Sequence, residues 1–404
     1  MSVSERWLLP DGVDELLPPE AWSVELLRRD LLDLYARFGY QLVSPPLIEY
    51  LESLLTGTGN DLDLQTFKVT DQLTGRLMGV RADITPQVAR IDTHLLQSQG
   101  LSRLCYVDSV LHTRPAHMLT NRNPLQIGCE LFGEAGANAD IEIISLMLET
   151  LSKANIKNIH IDLAHVGIYK GVIESSSLDS ELEEKVFDAL SRKSIPELDA
   201  LARSNDANAD VILLIRDIAN LSGGVDALEK IEATVNKLAL SNAQRVITAI
   251  NELRMVMEQI QQRFAEVEIG FDFCELRGYN YHTGILFSAF SADYGYALAK
   301  GGRYDDIGKG FGRNSGQLKT KARPATGFSA DLKTLARLTG ASQRNMDAVF
   351  APMADDALLQ DKVRALRAEG YCVVQALSAK DEPADFDCTQ HLIMKNGSWQ
   401  LAEL

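Results

Sequence analysis

Residues 275–305 concentrate the side chains of this 404-residue chain that are best suited to chemistry. Glu275-Leu-Arg-Gly-Tyr-Asn-Tyr-His-Thr-Gly is followed by Lys300-Gly-Gly-Arg-Tyr-Asp305. Arg277 and Arg303 are suited to bidentate pairing with a carboxylate or phosphate. Tyr281, His282 and Tyr304 add hydrogen-bonding groups beside them. The alternation Tyr281, Thr283, Ile285, Phe287 has the period of a strand with one buried face, which would send every second side chain into a shared cavity. Gly301-Gly302 reads as a turn that lets backbone approach a ligand.

Other stretches supply acids and amides. Arg81-Ala-Asp-Ile-Thr-Pro86 offers Asp83 and Thr85 just ahead of a helical pattern. Gln126-Ile-Gly-Cys-Glu130 places Gln126 and Glu130 on one face of a strand, so both can enter one pocket. Two such polar groups on a half-apolar strand cost about 1–3 kcal/mol each if left without partners. A bound ligand could supply them, but these residues by themselves favour a structural network.

Elements that would position these groups are legible from periodicity. Leu26, Leu27, Leu31, Leu34 and Tyr35 recur at helical spacing over Glu20–Phe38, and Gly39 follows as a stop. Ile141, Ile144, Leu148 and Leu151 mark a second helix over Ala139–Leu151, and Ile159–Leu163 returns as a strand. From about Tyr169 to Phe264 the pattern is helical, broken at Ser222-Gly-Gly224 and closing on a long amphipathic helix over Asn242–Phe264. After Gly340 the spacing predicts strands at Ala348–Ala351 and Tyr371–Gln375, a helix at Leu358–Glu369, and further strands at His391–Lys395 and Trp399–Leu401.

Bulk properties narrow the function classes. The formal net charge is −16 with 24% charged and 46% hydrophobic residues, ordinary for a globular protein but opposed to the positive footprint a nucleic-acid binder needs. Residues 341–404 carry 6 Lys/Arg against 10 Asp/Glu, a net of −4. Five scattered cysteines without C-x-x-C spacing predict reduced thiols in a cytoplasmic protein and no metal site. The N-terminal residues lack the apolar core of a signal peptide, and no run of ~18 apolar residues predicts a membrane span.

The two stretches at 275–284 and 300–305 resemble the histidine-specific motifs of histidyl-tRNA synthetase, and the resemblance extends over most of residues 1–335. Leu9-Pro-Asp-Gly-Val-Asp-Glu-Leu-Leu-Pro18 resembles that family's opening segment. Phe38–Pro46 resembles its class II motif 1, Arg81–Pro86 with Arg90 its R-P-E-x-T segment, and Gln126–Glu130 the tail of its motif 2. Two departures stand out. Motif 2 of the synthetases opens F-R-x-E, where this chain has Leu111-His-Thr-Arg114; motif 3 reads G-F-x-x-G-x-E-R, where this chain has Gly327-Phe-Ser-Ala-Asp-Leu-Lys-Thr334. The arginines that clamp the nucleotide are thus His112 and Thr334. Losing one such preorganised donor typically costs ~10²–10³ in rate.

A retained amino-acid pocket beside a lost nucleotide pocket resembles the regulatory subunit family of ATP phosphoribosyltransferase. That resemblance implies an α+β fold of class II synthetase type: an antiparallel sheet with flanking helices over residues 1–335, a helical insertion at about 169–264, and a small C-terminal α/β domain over 341–404. It implies a non-catalytic, cofactor-free subunit that activates the short-form catalytic subunit and carries feedback inhibition by free L-histidine. It further implies a homodimer within a hetero-octamer, in contact with neither nucleic acid nor membrane. The histidine site would comprise Asp83, Thr85, Gln126, Glu130, Tyr281, His282 and Tyr304, with Arg277 or Arg114 on the carboxylate. The alternative is a working histidyl-tRNA synthetase, which the two lost arginines, the acidic charge and the short C-terminal region oppose.

Overall fold

The computed structural model describes residues 7–56, 60–115, 117, 120–238, 241–276, 282–306, 323–340 and 348–404. It divides into two compact units, Met1–Ala341 and Ser342–Leu404.

Nine strands form the large sheet of the first unit, among the described residues. Across the sheet they run Gln41–Leu42, Ser102–Ser109, Leu125–Phe132, Ala325–Asp331, Tyr294–Arg303, Ile285–Ser291, Ile159–His165, Glu268–Asp272 and Ser222–Gly223. The pairings from Ser102–Ser109 through to Ile159–His165 are antiparallel. Only Gln41–Leu42 with Ser102–Ser109, and Ile159–His165 with Glu268–Asp272, pair in parallel. This is the α+β, class II synthetase-like arrangement that the sequence resemblance implies.

Strand parity decides which residues reach the site. On Leu125–Phe132, Ile127, Cys129 and Leu131 are almost fully buried in the main hydrophobic core with the helices. Successive side chains point to opposite faces, so Gln126, Gly128 and Glu130 must face the other way. The first core layer is set by the Ala137–Lys153 helix, whose Ile141, Ile144, Leu148 and Leu151 join that cluster. The Glu20–Arg37 helix contributes Val24, Leu31 and Tyr35, and the chain leaves it through Gly39 at φ +83, a left-handed position that suits glycine.

The helical stretch of residues 166–263 comprises Val166–Ile173, Ser180–Ser191, Ile195–Ser204, Ala209–Ala219, Val225–Leu238 and Ala243–Arg263. Asp179 caps the second of these by accepting from Leu182 N at 2.9 Å. Their buried faces, Val186, Leu198, Ile212, Ile231 and Leu253 among them, share one cluster with the sheet. The Ser222-Gly-Gly break is itself a strand, Ser222–Gly223, paired with Glu268–Asp272 at the sheet edge. In the second unit Ala348–Ala351, Cys372–Gln375, Gln390–Lys395 and Ser398–Glu403 form a four-stranded sheet, and the Ala357–Ala368 helix packs its Leu359, Val363 and Leu366 into that unit's core.

Three expectations at 281–303 are corrected. Gly301-Gly302 is not a turn but lies inside the Tyr294–Arg303 strand. A Cβ at Gly301 would overlap the Gly327 carbonyl and the Phe287 ring, which is why the strand carries none there. The Ile285–Ser291 strand is buried on both faces, with Ile285, Leu286, Phe287 and Ala289 all in the main hydrophobic core. Arg303 is spent on structure: its guanidinium donates to Asp140 at 2.9 and 3.1 Å, and both side chains are buried.

Candidate functional site

A cavity of about 230 Å³ opens on the sheet face that carries Glu130. This is below the ~300–1,000 Å³ of sites for drug-sized ligands, so it suits one small metabolite. Its described lining includes Asp83, Thr85, Glu130, His282, Lys300 and Tyr304.

Glu130 anchors it. The residue is 1% exposed, and three hydroxyls converge on its carboxyl group. Thr85 Oγ1 donates to Oε1 at 3.0 Å and Tyr106 Oη donates to the same oxygen at 3.1 Å. Tyr304 Oη donates to Oε2. Burial pushes this carboxyl up from 4.5 to about 8; the Tyr304 and Thr85 hydroxyls pull it down, and the nearby Asp83 charge adds to the rise. At neutral pH the protonated form therefore prevails. With Oε2 protonated, the Tyr304 contact reverses: Glu130 donates and Tyr304 Oη accepts, while Thr85 and Tyr106 still donate to Oε1. Burial likewise raises the Tyr106 and Tyr304 phenols well above their ordinary value, keeping both neutral.

Glycines make the room. A Cβ at Gly327, directly across from Glu130 in register, would overlap Glu130 Oε2. Gly128 pairs with Tyr106 on the neighbouring strand, and a Cβ there would lie 2.5 Å from Tyr106 Oη. Both positions hold glycine because the buried hydroxyl–carboxyl cluster occupies that space.

Asp83 is held by a second small network. Gln126 Nε2 donates to Asp83 Oδ1 at 2.8 Å, and Gln126 Oε1 accepts from Ile84 N at 3.0 Å. Thr85 N donates to the same Asp83 oxygen at 3.0 Å. Gln126 thus fixes the acid from behind rather than lining the cavity itself. His282 is 8% exposed and lines the cavity. From this strand the cavity is reached by Leu286 and Ser288 and by the Phe287 ring, and from the residues before it by His282. That is the opposite parity to the Thr283, Ile285, Phe287 series read from sequence, because Ile285, Phe287 and Ala289 belong to the helix-side core. Thr283 instead donates to Asp305 at 2.9 Å.

The remaining predicted residues fall elsewhere. Arg277 and Tyr281 lie outside the described residues. Arg114 is exposed and is not part of the cavity lining. Arg81, the first residue of the Asp83 segment, is 1% exposed and binds the Pro45 and Ser109 carbonyls and Asp108. Arg90 pairs with Glu49 at 2.5 Å. Sequence reasoning missed Tyr106, Ser288, Lys300 as a lining residue, and Ser329. Nothing local marks Tyr106, whose cross-strand partner Gly128 is known only from the register.

Where the synthetase pattern has nucleotide arginines, this chain makes internal bonds. His112 Nε2 contacts the Ala82 carbonyl at 2.9 Å, and its backbone exchanges bonds with Arg122. Thr334 Oγ1 donates to Asp331 Oδ2 at 2.7 Å. Lys333, at the position of the motif acid, is buried and paired with Asp14 at 2.8 Å. Arg337 closes the same knot by bonding Asp14 and Glu20. The His117 ring stacks on Tyr296 with centroids 3.5 Å apart. Among the described residues no cluster of three His, Cys, Asp or Glu could hold a metal, and no helix is long and apolar enough to cross a membrane.

Comparison with known proteins adds an independent line. Residues 12–335 match the family model described as histidyl-tRNA synthetase, and residues 346–402 match the ATP phosphoribosyltransferase subunit HisZ C-terminal domain. Proteins named ATP phosphoribosyltransferase regulatory subunit are similar over their whole length. The one from Marinobacter nauticus is 50% identical, covering 99% of this chain and 98% of that protein. The one from Pseudomonas aeruginosa is 49% identical with full coverage of both. Among solved structures, a Bacillus halodurans protein titled ATP phosphoribosyltransferase regulatory subunit/histidyl-tRNA synthetase has a TM-score of 0.79 at 22% identity, covering 94% of this chain and 96% of that one. A histidyl-tRNA synthetase from Nostoc has a TM-score of 0.76 at 18% identity, covering 98% and 97%. At these identities the two structures speak to the fold.

Proposed function

The chain belongs to the family of ATP phosphoribosyltransferase regulatory subunits, and from that premise we propose that it activates the short-form catalytic subunit and confers feedback inhibition by free L-histidine. In this reading it performs no chemistry of its own, acts in the cytoplasm, and works as a homodimer within a hetero-octamer without nucleic acid.

One contrast carries the proposal. The cavity around Glu130, Thr85, Asp83 and Tyr304 keeps a dense set of polar groups, whereas the positions of the nucleotide arginines, His112 and Thr334, are tied into the chain's own backbone and side chains. The histidine ammonium would pair with Asp83, steadied by Gln126, with Thr85 beside it. The imidazole would meet Glu130 and Tyr304, with His282 at the wall. Arg277 and Tyr281 are proposed to complete the site on the resemblance. Such a site rejects ligands lacking the matching groups, because its own buried polar atoms would be left unpaired. Without the two arginines, adenylation lacks the positive charge that phosphoryl chemistry requires.

Inhibition follows if histidine favours one arrangement of the assembled complex. A coupling of about 1–3 kcal/mol changes activity ~5–150-fold. The test mixes this chain with a short-form catalytic subunit at saturating ATP and phosphoribosyl pyrophosphate. Turnover is expected to rise on adding the chain and to fall again on adding histidine. Turnover indifferent to both additions would sink the proposal.

A further inference from the structure

We propose that Lys300 binds the carboxylate of the amino acid held in this cavity. The inference rests on the histidine reading of the cavity above.

An amino acid brings a carboxylate as well as an ammonium group, and a carboxylate taken out of water needs a charged or hydrogen-bonding partner. The motif 2 stretch does not supply one. His112 stands where the arginine would, and its ring is engaged with the Ala82 carbonyl at 2.9 Å. Arg114, the nearest arginine in that stretch, is exposed and outside the lining. Arg303 is committed to Asp140.

Lys300 lines the cavity, and among the described lining residues it is the only lysine or arginine. Three carboxyl groups, Asp83, Glu130 and Glu275, line the same cavity. An incoming anion therefore finds one cationic side chain among the described lining residues, and Glu130, protonated at neutral pH, does not repel it. The register places Lys300 between Ser288 and Ser329 on the two adjacent strands, and both serines line the cavity too. A cation and two hydroxyls thus form one end of the cavity. The other end is Glu130 with Thr85 and Tyr304. Lys300 sits two strands away from Glu130 in the sheet order, a backbone separation of roughly 10 Å. Between the two ends lie Gly302 and Gly327, paired in register, and the space a Cβ would take there is filled by Leu286, His282 and Glu130. A zwitterion with a polar side chain fits this polarity in one direction only: carboxylate toward Lys300, side chain toward Glu130.

The experiment titrates the full-length chain, alone and with the catalytic subunit, with L-histidine and with L-histidinamide, which lacks the anionic group. Wild type is expected to prefer histidine by about 10- to 150-fold, the range for one hydrogen bond to a charged group. Lys300→Met should erase that preference while leaving histidinamide binding within ~3-fold of wild type, and Lys300→Arg should restore much of it. Should the Met variant not fold, Lys300→Gln is read by the same criterion. A preference that survives loss of Lys300 overturns the assignment. So does equal weakening of both ligands, which marks a residue that only shapes the pocket. Failure of histidine to bind the wild type in either form overturns the reading of the cavity itself, and this assignment with it.

Discussion

Replacing Glu130 by Gln should make the first unit more stable at alkaline pH and change it little at pH 5. Burial raises the folded-state carboxyl from its ordinary 4.5 to about 8. Between those two values the folded protein holds a proton that the unfolded chain has released. Stability therefore falls as pH rises through this window, and the loss is complete above the folded value. The gap of 8 − 4.5, at ~1.4 kcal/mol per pH unit, amounts to about 5 kcal/mol in all. About 4 kcal/mol of it falls between pH 5 and pH 9. Glu130→Gln removes the ionisation while keeping a planar group of the same size among the Thr85, Tyr106 and Tyr304 hydroxyls. The assay is urea unfolding from pH 5 to 9, followed by tryptophan fluorescence in a Trp399→Phe background. Only Trp7 and Trp22, both in the first unit, then report. Other titrating groups act in both proteins and cancel in the difference. A difference between the two proteins that stays constant to within ~1 kcal/mol across this range would refute the reasoning, because the carboxyl would then be ionised in both states throughout.

Gly327→Ala is expected to abolish amino-acid binding and to destabilise the first unit, since its Cβ would claim the space of Glu130 Oε2 and crowd the Cys129 carbonyl; unchanged affinity by calorimetry would show that Glu130 is not at the binding surface. Histidine-dependent pyrophosphate exchange is expected to be undetectable in the wild-type chain. Exchange at a synthetase-like rate would mean that other residues replace the arginines absent at His112 and Thr334.

How much of this was legible in the sequence depended on the range of the interactions. The pairing of Gln126 and Glu130 on one strand face needed only the period of a strand, and the structure has it. The helix ending at Gly39 needed only local chemistry, and that element is present too. Parity at 282–288 was read the wrong way round, because it depends on which face the distant helices claim, and Ile285 and Phe287 look alike for either face. Arg303 looked like a ligand group, but its partner Asp140 is 163 positions away and nothing local announces it. Tyr106 was silent for the same reason: its hydroxyl meets Glu130 only once two strands are in register. Gly301-Gly302 was read as a turn because that is the commonest local use of paired glycines. Here the demand comes from Phe287 and Gly327 on neighbouring strands.

The central claim is that the cavity around Glu130 holds histidine, and calorimetric titration of the full-length chain with L-histidine, L-phenylalanine and L-glutamine tests it most directly. The account predicts saturable 1:1 binding of histidine, lost in Glu130→Ala. The other two ligands should bind at least ~100-fold more weakly, since neither places an imidazole against the buried hydroxyl–carboxyl cluster. Equal affinity for all three ligands, or histidine binding unaffected by Glu130→Ala, would contradict it.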